Sequence, residues 1–225
     1  TLRPAPGWVD TLGRALLKNT IRVVLRVYFR WRVLNPPTLK GGYVVVANHA
    51  SFLDPIILGV SNPQNVAFLI NSASNRSRLM GWFYRLYRSI PVDLRGGNRD
   101  ALRQCHAALD AGEVVGVFPE GGITRDGGLI LGNPGAVALV LRKNVAIVPV
   151  GLIGVRDAMP YGSSIPRPKR IEVRYGDPIP ASEFDVGGNR KERLAIATAR
   201  IMREIAQLCD QTSREDELAA LRKQS

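Results

Sequence analysis

Cysteine is scarce in this chain, since Cys105 and Cys209 are the only two among 225 residues. They lie far apart in segments that we predict to be helical, so they indicate neither a disulfide framework nor a cluster of metal ligands. A reducing compartment fits this composition best. A signal peptide and a charge-free apolar run of bilayer length are also absent, so we do not expect an integral membrane protein.

Acidic residues are outnumbered, with 19 Asp and Glu against 31 Lys and Arg and a formal net charge of +12. Such an excess predicts an anionic partner, and nucleic acid, anionic lipid or a phosphorylated substrate would each serve. The placement of the basic residues along the chain distinguishes these three classes.

Between Val9 and Leu34, basic residues recur every four positions, which predicts one long helix with a basic stripe. Apolar side chains fall on another face, and aromatic rings suited to headgroup depth lie beside them. The pattern predicts an N-terminal amphipathic helix, within residues 1–36, bound peripherally or monotopically to the cytoplasmic face of a membrane with anionic lipids. The stripe contains Arg14, Lys18, Arg22, Arg26 and Arg30, the apolar face Val9, Leu12, Leu16, Val23, Val27 and Leu34, and the rings are Trp8, Tyr28, Phe29 and Trp31.

The same pattern fits a helix that packs on the domain and leaves its basic face in solvent. Nucleic acid is the weaker prediction, because the basic residues are interleaved with branched aliphatic ones and no DNA- or RNA-binding module appears. We therefore expect a membrane partner and no nucleic acid.

Beyond residue 36, strand-like and helix-like segments alternate, which predicts a single α/β domain with a mostly parallel sheet flanked by helices. The length suits one domain. We place this domain at residues 37–210 and a charged C-terminal tail at residues 211–225. Strands are predicted at 43–48, 65–70, 89–92, 112–118, 145–153 and 171–175, and helices at 55–60, 77–88, 99–111, 134–142 and 190–209.

His49 and Asp54 follow the first buried strand of this domain. An imidazole accepts a proton near neutral pH, and a carboxylate on its other ring nitrogen fixes the tautomer and stabilises the imidazolium. The pair predicts a general base with its orienting partner. The Gly-x-Ser-x-Gly turn of many hydrolases is absent and Ser51 is too near His49 in sequence to be assigned as a triad serine, so we expect His49 to deprotonate an alcohol on a bound acceptor. Asp54 followed by Pro55 also fits a helix start, which is compatible with this role.

A glycine-rich segment, residues 118–127, directly follows a later predicted strand. Ligands of open α/β sheets bind beyond the carboxyl ends of the strands, and glycines there leave backbone N–H groups free to approach a polar ligand. Glu120 can accept hydrogen bonds from hydroxyl groups. Taken alone, the segment fits an ordinary glycine-rich turn equally well.

Four blocks of the sequence, in this order and at these separations, resemble the glycerolipid acyltransferase superfamily, which includes lysophosphatidic acid and glycerol-3-phosphate acyltransferases. Four ordered blocks are far more specific than any one of them. The resemblance extends from about Tyr43 to Ile179. The blocks are Asn48-His49-x-Ser51-x-x-Asp54-Pro55, Ile90-Pro91-Val92-Asp93, Phe118-Pro119-Glu120-Gly121 and Ile147-Val148-Pro149-Val150.

The resemblance implies transfer of a fatty acyl chain from a thioester to a glycerolipid hydroxyl, with 1-acylglycerol-3-phosphate as the first choice of acceptor. His49 would take the proton of that hydroxyl and Asp54 would orient His49. Glu120 and Gly121 would help to hold the acceptor, and Pro149 would support the acyl-donor side or the fold itself. The resemblance implies no metal and no cofactor, only acyl-CoA or acyl-carrier protein as the donor.

Two departures from the family pattern concern the acceptor. Gly122-Ile123 stands where the family usually has Thr-Arg, and Leu94 separates Asp93 from Arg95 where the family usually has Asp-Arg. Arg125 and Arg95 are the predicted substitutes for phosphate binding, although an exposed surface arginine explains each equally well. Glycerol-3-phosphate, another lysophospholipid or a glycolipid are the alternative acceptors, and a non-catalytic membrane-binding or lipid-transfer module is the alternative of a different class.

Overall fold

A computed structural model describes residues 8–71, 89–93, 98–125, 128–163, 165–184, 188–213 and 216 of the chain. Helices and strands alternate along most of it, as the sequence pattern predicts. In chain order the elements are α1 (Trp8–Tyr28), β1 (Arg32–Leu34), β2 (Val44–Ala47), α2 (Asp54–Ser61), β3 (Val66–Asn71), β4 (Ile90–Val92), α3 (Arg99–Asp110), β5 (Val114–Val117), α4 (Gly135–Lys143), β6 (Ile147–Ile153), α5 (Val155–Ala158), β7 (Glu172–Tyr175), a 3₁₀ turn (Ala181–Phe184) and α6 (Arg190–Leu208).

The seven strands form one sheet in the order β1-β7-β6-β2-β5-β3-β4. Every neighbouring pair is parallel except β6 and β7, which are antiparallel. All four residues of β2 are buried, as expected for a central strand that is covered on both faces. The predicted single α/β domain with a mostly parallel sheet is confirmed.

Two apolar cores lie on opposite faces of the sheet. Val44 and Val46 of β2 pack with α3, α4 and α6, whereas Val45 and Ala47 pack with α1, α2 and α5. Because successive side chains of a strand point to opposite faces, an uninterrupted apolar run supplies both cores at once. The site at the end of β2 therefore rests on a strand that is fixed from both sides.

The N-terminal helix is shorter than the sequence periodicity predicts. Helix α1 ends at Tyr28, and Arg30 adopts a left-handed backbone conformation with φ of 48°. Residues 32–34 then form β1, which pairs in parallel with β7. The prediction of a helix as far as Leu34 is wrong in this part, and Arg30 is not a helical member of the basic stripe.

Helix α1 packs on the domain through Leu25 and Phe29, both of which are buried. Its basic side chains Lys18 and Arg22 donate hydrogen bonds to the carbonyls of Asn62 and Val60, at 2.8 and 2.9 Å. These carbonyls lie at the carboxyl end of α2, the negative end of its dipole, where cations are stabilising. Two residues of the predicted stripe are thus bound to the domain itself.

The opposite side of α1 is apolar and exposed. The exposed fractions of Leu16, Val23 and Val27 are 68%, 60% and 78%. No helix within the described ranges combines the length and apolarity that crossing a bilayer demands. The predicted helix at residues 77–88 lies outside the described residues, as do residues 217–225 of the predicted tail.

Candidate active site

His49 and Asp54 form a hydrogen-bonded pair at the carboxyl end of β2. The Nδ1 atom of His49 lies 2.9 Å from Oδ2 of Asp54. The Asp54 side chain is 1% exposed and the His49 side chain 15%, so the imidazole is the member of the pair that solvent reaches. The Nε2 atom of His49 makes no hydrogen bond to any residue in the described part of the chain, which leaves it for a substrate.

The Asp54 carboxylate also holds the turn between β2 and α2. Its Oδ2 atom accepts hydrogen bonds from the backbone N–H groups of Ala50 and Ser51, both at 2.7 Å. Asp54 is the first residue of α2, and Pro55 follows it where a missing N–H costs nothing. Three donors on one buried oxygen fix the position of the carboxylate. The helix-start role and the orienting role of Asp54 therefore coexist.

The backbone of His49 is held by the glycine-rich segment that follows β5. Its N–H donates to Oε1 of Glu120 at 2.8 Å, and its carbonyl accepts from the Thr124 N–H at 2.9 Å. The Thr124 hydroxyl donates to the same carbonyl at 3.3 Å. Glu120 and Thr124 thus bind the peptide of His49 from both sides.

The imidazole ring of His49 stacks on Phe118, with 4.2 Å between ring centroids and 20° between planes. Phe118 in turn lies parallel to Phe68 of β3 at 6.1 Å. Asn48 closes the other flank, because its amide exchanges two hydrogen bonds with the backbone of Leu152, at 3.0 and 2.8 Å. The rings of Phe68 and Phe118 and the backbone of β6 therefore determine the ring plane and the chain direction at His49.

Neither Ser51 nor the cysteines are placed as nucleophiles. The Ser51 hydroxyl is fully buried and donates to the carbonyl of Met159 at 2.8 Å. Burial raises the pKa of the Cys105 thiol to about 11 and that of Cys209 to about 12. Thiols that hold their protons this tightly are poor nucleophiles near neutral pH.

An open groove of ≈ 460 Å³ lies beside the pair, lined by residues 120–125 and Ile130. Gly121 has a φ of 74°, which glycine adopts without strain. The N–H groups of Gly122 and Ile123 make no hydrogen bond to other described residues. Both residues line the groove together with Glu120, so the groove wall contains two backbone donors without a protein partner in the described ranges.

Arg125 lies at the rim of this groove. Its guanidinium sits over the ring of Tyr161, 5.6 Å from the centroid, and Tyr161 stacks on Phe52 at 6.1 Å. Both aromatic rings are partly exposed, at 49% and 41%. A cation held over a ring is restricted in orientation yet keeps its N–H groups free for an anion.

The other predicted site residues fall elsewhere. Pro149 is buried inside β6 opposite Val46, where its carbonyl accepts from Gly176 at 2.9 Å, and it does not line the groove. Arg95 lies outside the described residues. No group of three or more His, Cys, Asp or Glu residues in the described ranges is placed to hold a metal ion.

Sequence analysis does not identify Phe118, Thr124 or Tyr161 as site residues. The position of Phe118 in the sequence indicates a place near the site, because it directly follows β5, the strand that neighbours β2. Thr124 is also recoverable, since it belongs to the glycine-rich segment. Tyr161 has no local pattern, because it lies in an irregular loop after α5 and reaches the site only through the tertiary fold.

Known proteins resemble the chain in both sequence and fold. A 1-acyl-sn-glycerol-3-phosphate acyltransferase of Bacillus subtilis is 25% identical over 84% of this chain and 94% of its own length. A chloroplastic enzyme of the same name from Arabidopsis thaliana is 31% identical over 68% of this chain, which spans 43% of that relative. The crystal structure of the 1-acyl-sn-glycerophosphate acyltransferase PlsC from Thermotoga maritima superposes with a TM-score of 0.69, covering 95% of this chain and 86% of that one at 20% identity, and so has the same fold.

The family model that matches is the acyltransferase model, over residues 25–153. This range contains the His49–Asp54 pair, the glycine-rich groove and six of the seven strands of the sheet. It covers more than half of the chain. The chain belongs to the acyltransferase family.

Proposed function

We propose that this protein transfers a fatty acyl chain from an acyl thioester to the free hydroxyl of 1-acylglycerol-3-phosphate, a step of phospholipid synthesis. The observation that carries the proposal is the 2.9 Å contact between His49 and Asp54 beside a groove with free backbone donors. The names of the similar Bacillus and Arabidopsis enzymes support this acceptor.

In this mechanism, Nε2 of His49 takes the proton of the acceptor hydroxyl as its oxygen attacks the thioester carbonyl carbon. Asp54 stabilises the imidazolium that forms, because its carboxylate bonds Nδ1. The tetrahedral oxyanion then collapses, the carbon–sulfur bond breaks, and the thiolate leaves with the proton from His49. The acyl group passes directly to the acceptor without a covalent enzyme intermediate.

The acceptor phosphate is bound by the groove. The N–H groups of Gly122 and Ile123 and the guanidinium of Arg125 are its donors, and hydrogen bonds from a cation to phosphate are among the stronger ones in proteins. The family usually has Thr-Arg where this chain has Gly122-Ile123. In this proposal, the two backbone N–H groups and Arg125 bind the phosphate in place of the arginine of that dipeptide. Glycerol-3-phosphate, another lysophospholipid or a glycolipid are the alternative acceptors.

The reaction takes place at a membrane surface in this proposal, on the cytoplasmic face, with acyl-CoA or acyl-carrier protein as donor. The exposed apolar side of α1 supports it, because Leu16, Val23 and Val27 gain from burial in the interface. The net charge of +12 adds attraction to anionic lipids.

The test is thiol release from a long-chain acyl-CoA with each acceptor supplied separately. We expect release with 1-acylglycerol-3-phosphate, and a loss of roughly 10²-fold or more in His49→Ala. His106→Ala is the matched control, because the second histidine of the chain lies on α3 on the other side of the sheet.

If His49→Ala releases thiol at the same rate as wild type, His49 is not the general base. If neither acyl-CoA nor acyl-carrier protein supports release with any acceptor, the protein is the non-catalytic membrane-binding or lipid-transfer module instead. Preference for a neutral glycolipid would keep the chemistry and overturn the proposed acceptor.

A further inference from the structure

A second basic cavity, of ≈ 470 Å³, lies between α1, β1 and the carboxyl end of α2. Its lining includes the guanidinium-bearing side chains of Arg22, Arg26 and Arg32, and no Asp or Glu. We call it the arginine pocket. Helix α2 begins at the catalytic Asp54 and ends at Ser61, which lines the pocket, so the helix separates the two sites by about 12 Å at 1.5 Å per residue.

No acidic side chain in the described ranges forms an ion pair with the arginines of this pocket. Arg26 and Arg32 are exposed, and neither guanidinium group makes a hydrogen bond to a described residue. Arg22 is bound to the carbonyl of Val60, which is neutral. Elsewhere on the same sheet, Arg170 and Arg174 both pair with Glu172. Three like charges around one concavity repel each other unless an anion enters it.

A buried donor adds an independent observation. Trp31 lines the arginine pocket and is only 7% exposed. Its indole N–H has no acceptor among the described residues. Buried N–H groups in proteins are nearly always hydrogen-bonded, and an indole can only donate. An oxygen atom of a ligand in the pocket would satisfy it.

The arginine pocket also borders apolar surface. Leu34 lines it and is 42% exposed. Val23 and Val27 do not line it but belong to the exposed apolar side of α1, next to Arg26 on the helix surface, and are 60% and 78% exposed. A ligand that matches both features carries an anionic group next to hydrocarbon. A free phosphate ion carries the anionic group but no hydrocarbon.

We propose that the arginine pocket binds the phosphate of an anionic membrane phospholipid, which is neither the acyl acceptor nor the donor. Arg26, Arg32 and the Trp31 N–H contact the phosphate oxygens, while the lipid chains run beside Val23 and Val27. This inference rests on the membrane location in the proposed function, but it requires no catalysis. The bound lipid would fix how the domain lies on the membrane and hence where the groove opens.

The test measures binding of the full chain to phosphatidylcholine vesicles with and without phosphatidylglycerol, an anionic phospholipid that is neither acceptor nor product of the proposed reaction. We expect Arg26→Gln/Arg32→Gln to lower the partition onto the anionic vesicles by roughly 20-fold. The control Arg103→Gln/Arg142→Gln removes the same charge from α3 and α4, on the opposite face of the sheet, and should lower it by only about twofold. Trp31→Phe keeps the ring and removes the donor, so it should weaken anionic binding by about threefold.

Equal losses in the two double variants would overturn the proposal, because they would indicate general charge attraction. Inorganic phosphate and coenzyme A, titrated without vesicles, distinguish the other sources of phosphate. If either binds tightly and only Arg26→Gln/Arg32→Gln abolishes this binding, the pocket is a soluble-anion or donor site. His49→Ala should bind vesicles like wild type, so failure of the acyl-transfer proposal and failure of this one are distinguishable.

Discussion

The His49–Asp54 site and the arginine pocket differ in how far the protein satisfies their polar groups. At the His49–Asp54 site, the N–H and carbonyl of His49, the N–H groups of Ala50 and Ser51 and Oδ2 of Asp54 are hydrogen-bonded within the protein, and the buried Oδ1 of Asp54 is the exception among the described residues. In the arginine pocket, two guanidinium groups and one buried indole N–H have no partner in the described part of the chain.

The His49–Asp54 site is therefore preorganised, whereas the arginine pocket keeps donors available for a ligand. A general base works when its ring and its partner carboxylate are already in place, because no reorganisation is then required during the reaction. A binding pocket gains affinity from donors that the free protein leaves unsatisfied. Five substitutions test this contrast, from the largest expected effect to the smallest.

The largest effect should come from the His49–Asp54 pair, and the two residues should differ in their effect on stability. His49→Gln should lower kcat by 10²- to 10⁴-fold with little change in the free energy of unfolding. Asp54→Asn should lower kcat similarly and destabilise the fold by about 1–3 kcal/mol, because the neutral amide binds Ala50 and Ser51 less strongly. Steady-state kinetics and urea unfolding measure both, and a stable Asp54→Asn variant would show that the carboxylate does not hold the turn.

Arg125→Gln should be the next largest and should act on binding. We expect KM for 1-acylglycerol-3-phosphate to rise by roughly 10- to 100-fold with kcat nearly unchanged, because the phosphate loses a charged donor. KM for a neutral monoacylglycerol should stay the same, which serves as the internal control. An equal rise for both acceptors would indicate that Arg125 supports the loop through Tyr161 instead.

Phe118→Leu tests whether the stacked ring preorganises His49. Leucine retains apolar volume but cannot hold the imidazole plane at 4.2 Å, so we expect kcat to fall by about tenfold with KM unchanged. The pH profile should keep its shape, since the proton acceptor is the same. If Phe118→Leu lowers the free energy of unfolding but leaves kcat unchanged, Phe118 only contributes packing.

Lys18→Gln should have the smallest effect, and it concerns the side of α1 that borders the arginine pocket. Burial, and then the charge of Arg22, lower the pKa of Lys18 to about 8. The unfolded chain therefore binds more protons above that pH, and stability should rise with pH through this residue between about 8 and the ordinary lysine value. Over pH 7 to 9 we expect a gain of at most about 1 kcal/mol, reduced by partial solvent screening, that Lys18→Gln lacks. Thermal unfolding of wild type and Lys18→Gln from pH 7 to 9 measures this gain. If the stabilities of the two proteins change with pH in parallel, Lys18 does not contribute to the pH dependence.

The catalytic pair was predictable because it is local. His49 and Asp54 are five positions apart, and the buried strand before them is an obvious apolar run. The glycine-rich groove was predictable because it follows another such strand. The bond from His49 to Glu120 spans 71 positions, so sequence alone suggested a role for Glu120 with the acceptor and not this support of the backbone.

The arginine pocket was not predictable, because it depends on β1. Helical periodicity continues through Arg30 and Leu34, but pairing with β7 makes residues 32–34 a strand, and tertiary pairing outweighs local propensity. Arg32 therefore reaches the pocket from a strand that no local pattern indicates. Periodicity likewise predicts a lipid-facing stripe that includes Lys18 and Arg22, because their partners at the carboxyl end of α2 are 44 and 38 positions away.

The pairing of β1 with β7 also sets an order of assembly during synthesis. The Tyr28 hydroxyl bonds to the carbonyl of Pro166, 138 positions later, and Arg32 pairs with Glu172. Contacts this distant in sequence form late, because the whole intervening chain must be made first. Helix α1 leaves the ribosome before β7 is made. Until β7 is available, Leu25 and Phe29 are uncovered, in addition to the exposed apolar side of the helix. An apolar helix surface that stays uncovered during synthesis exposes the unfinished chain to aggregation until β7 is made.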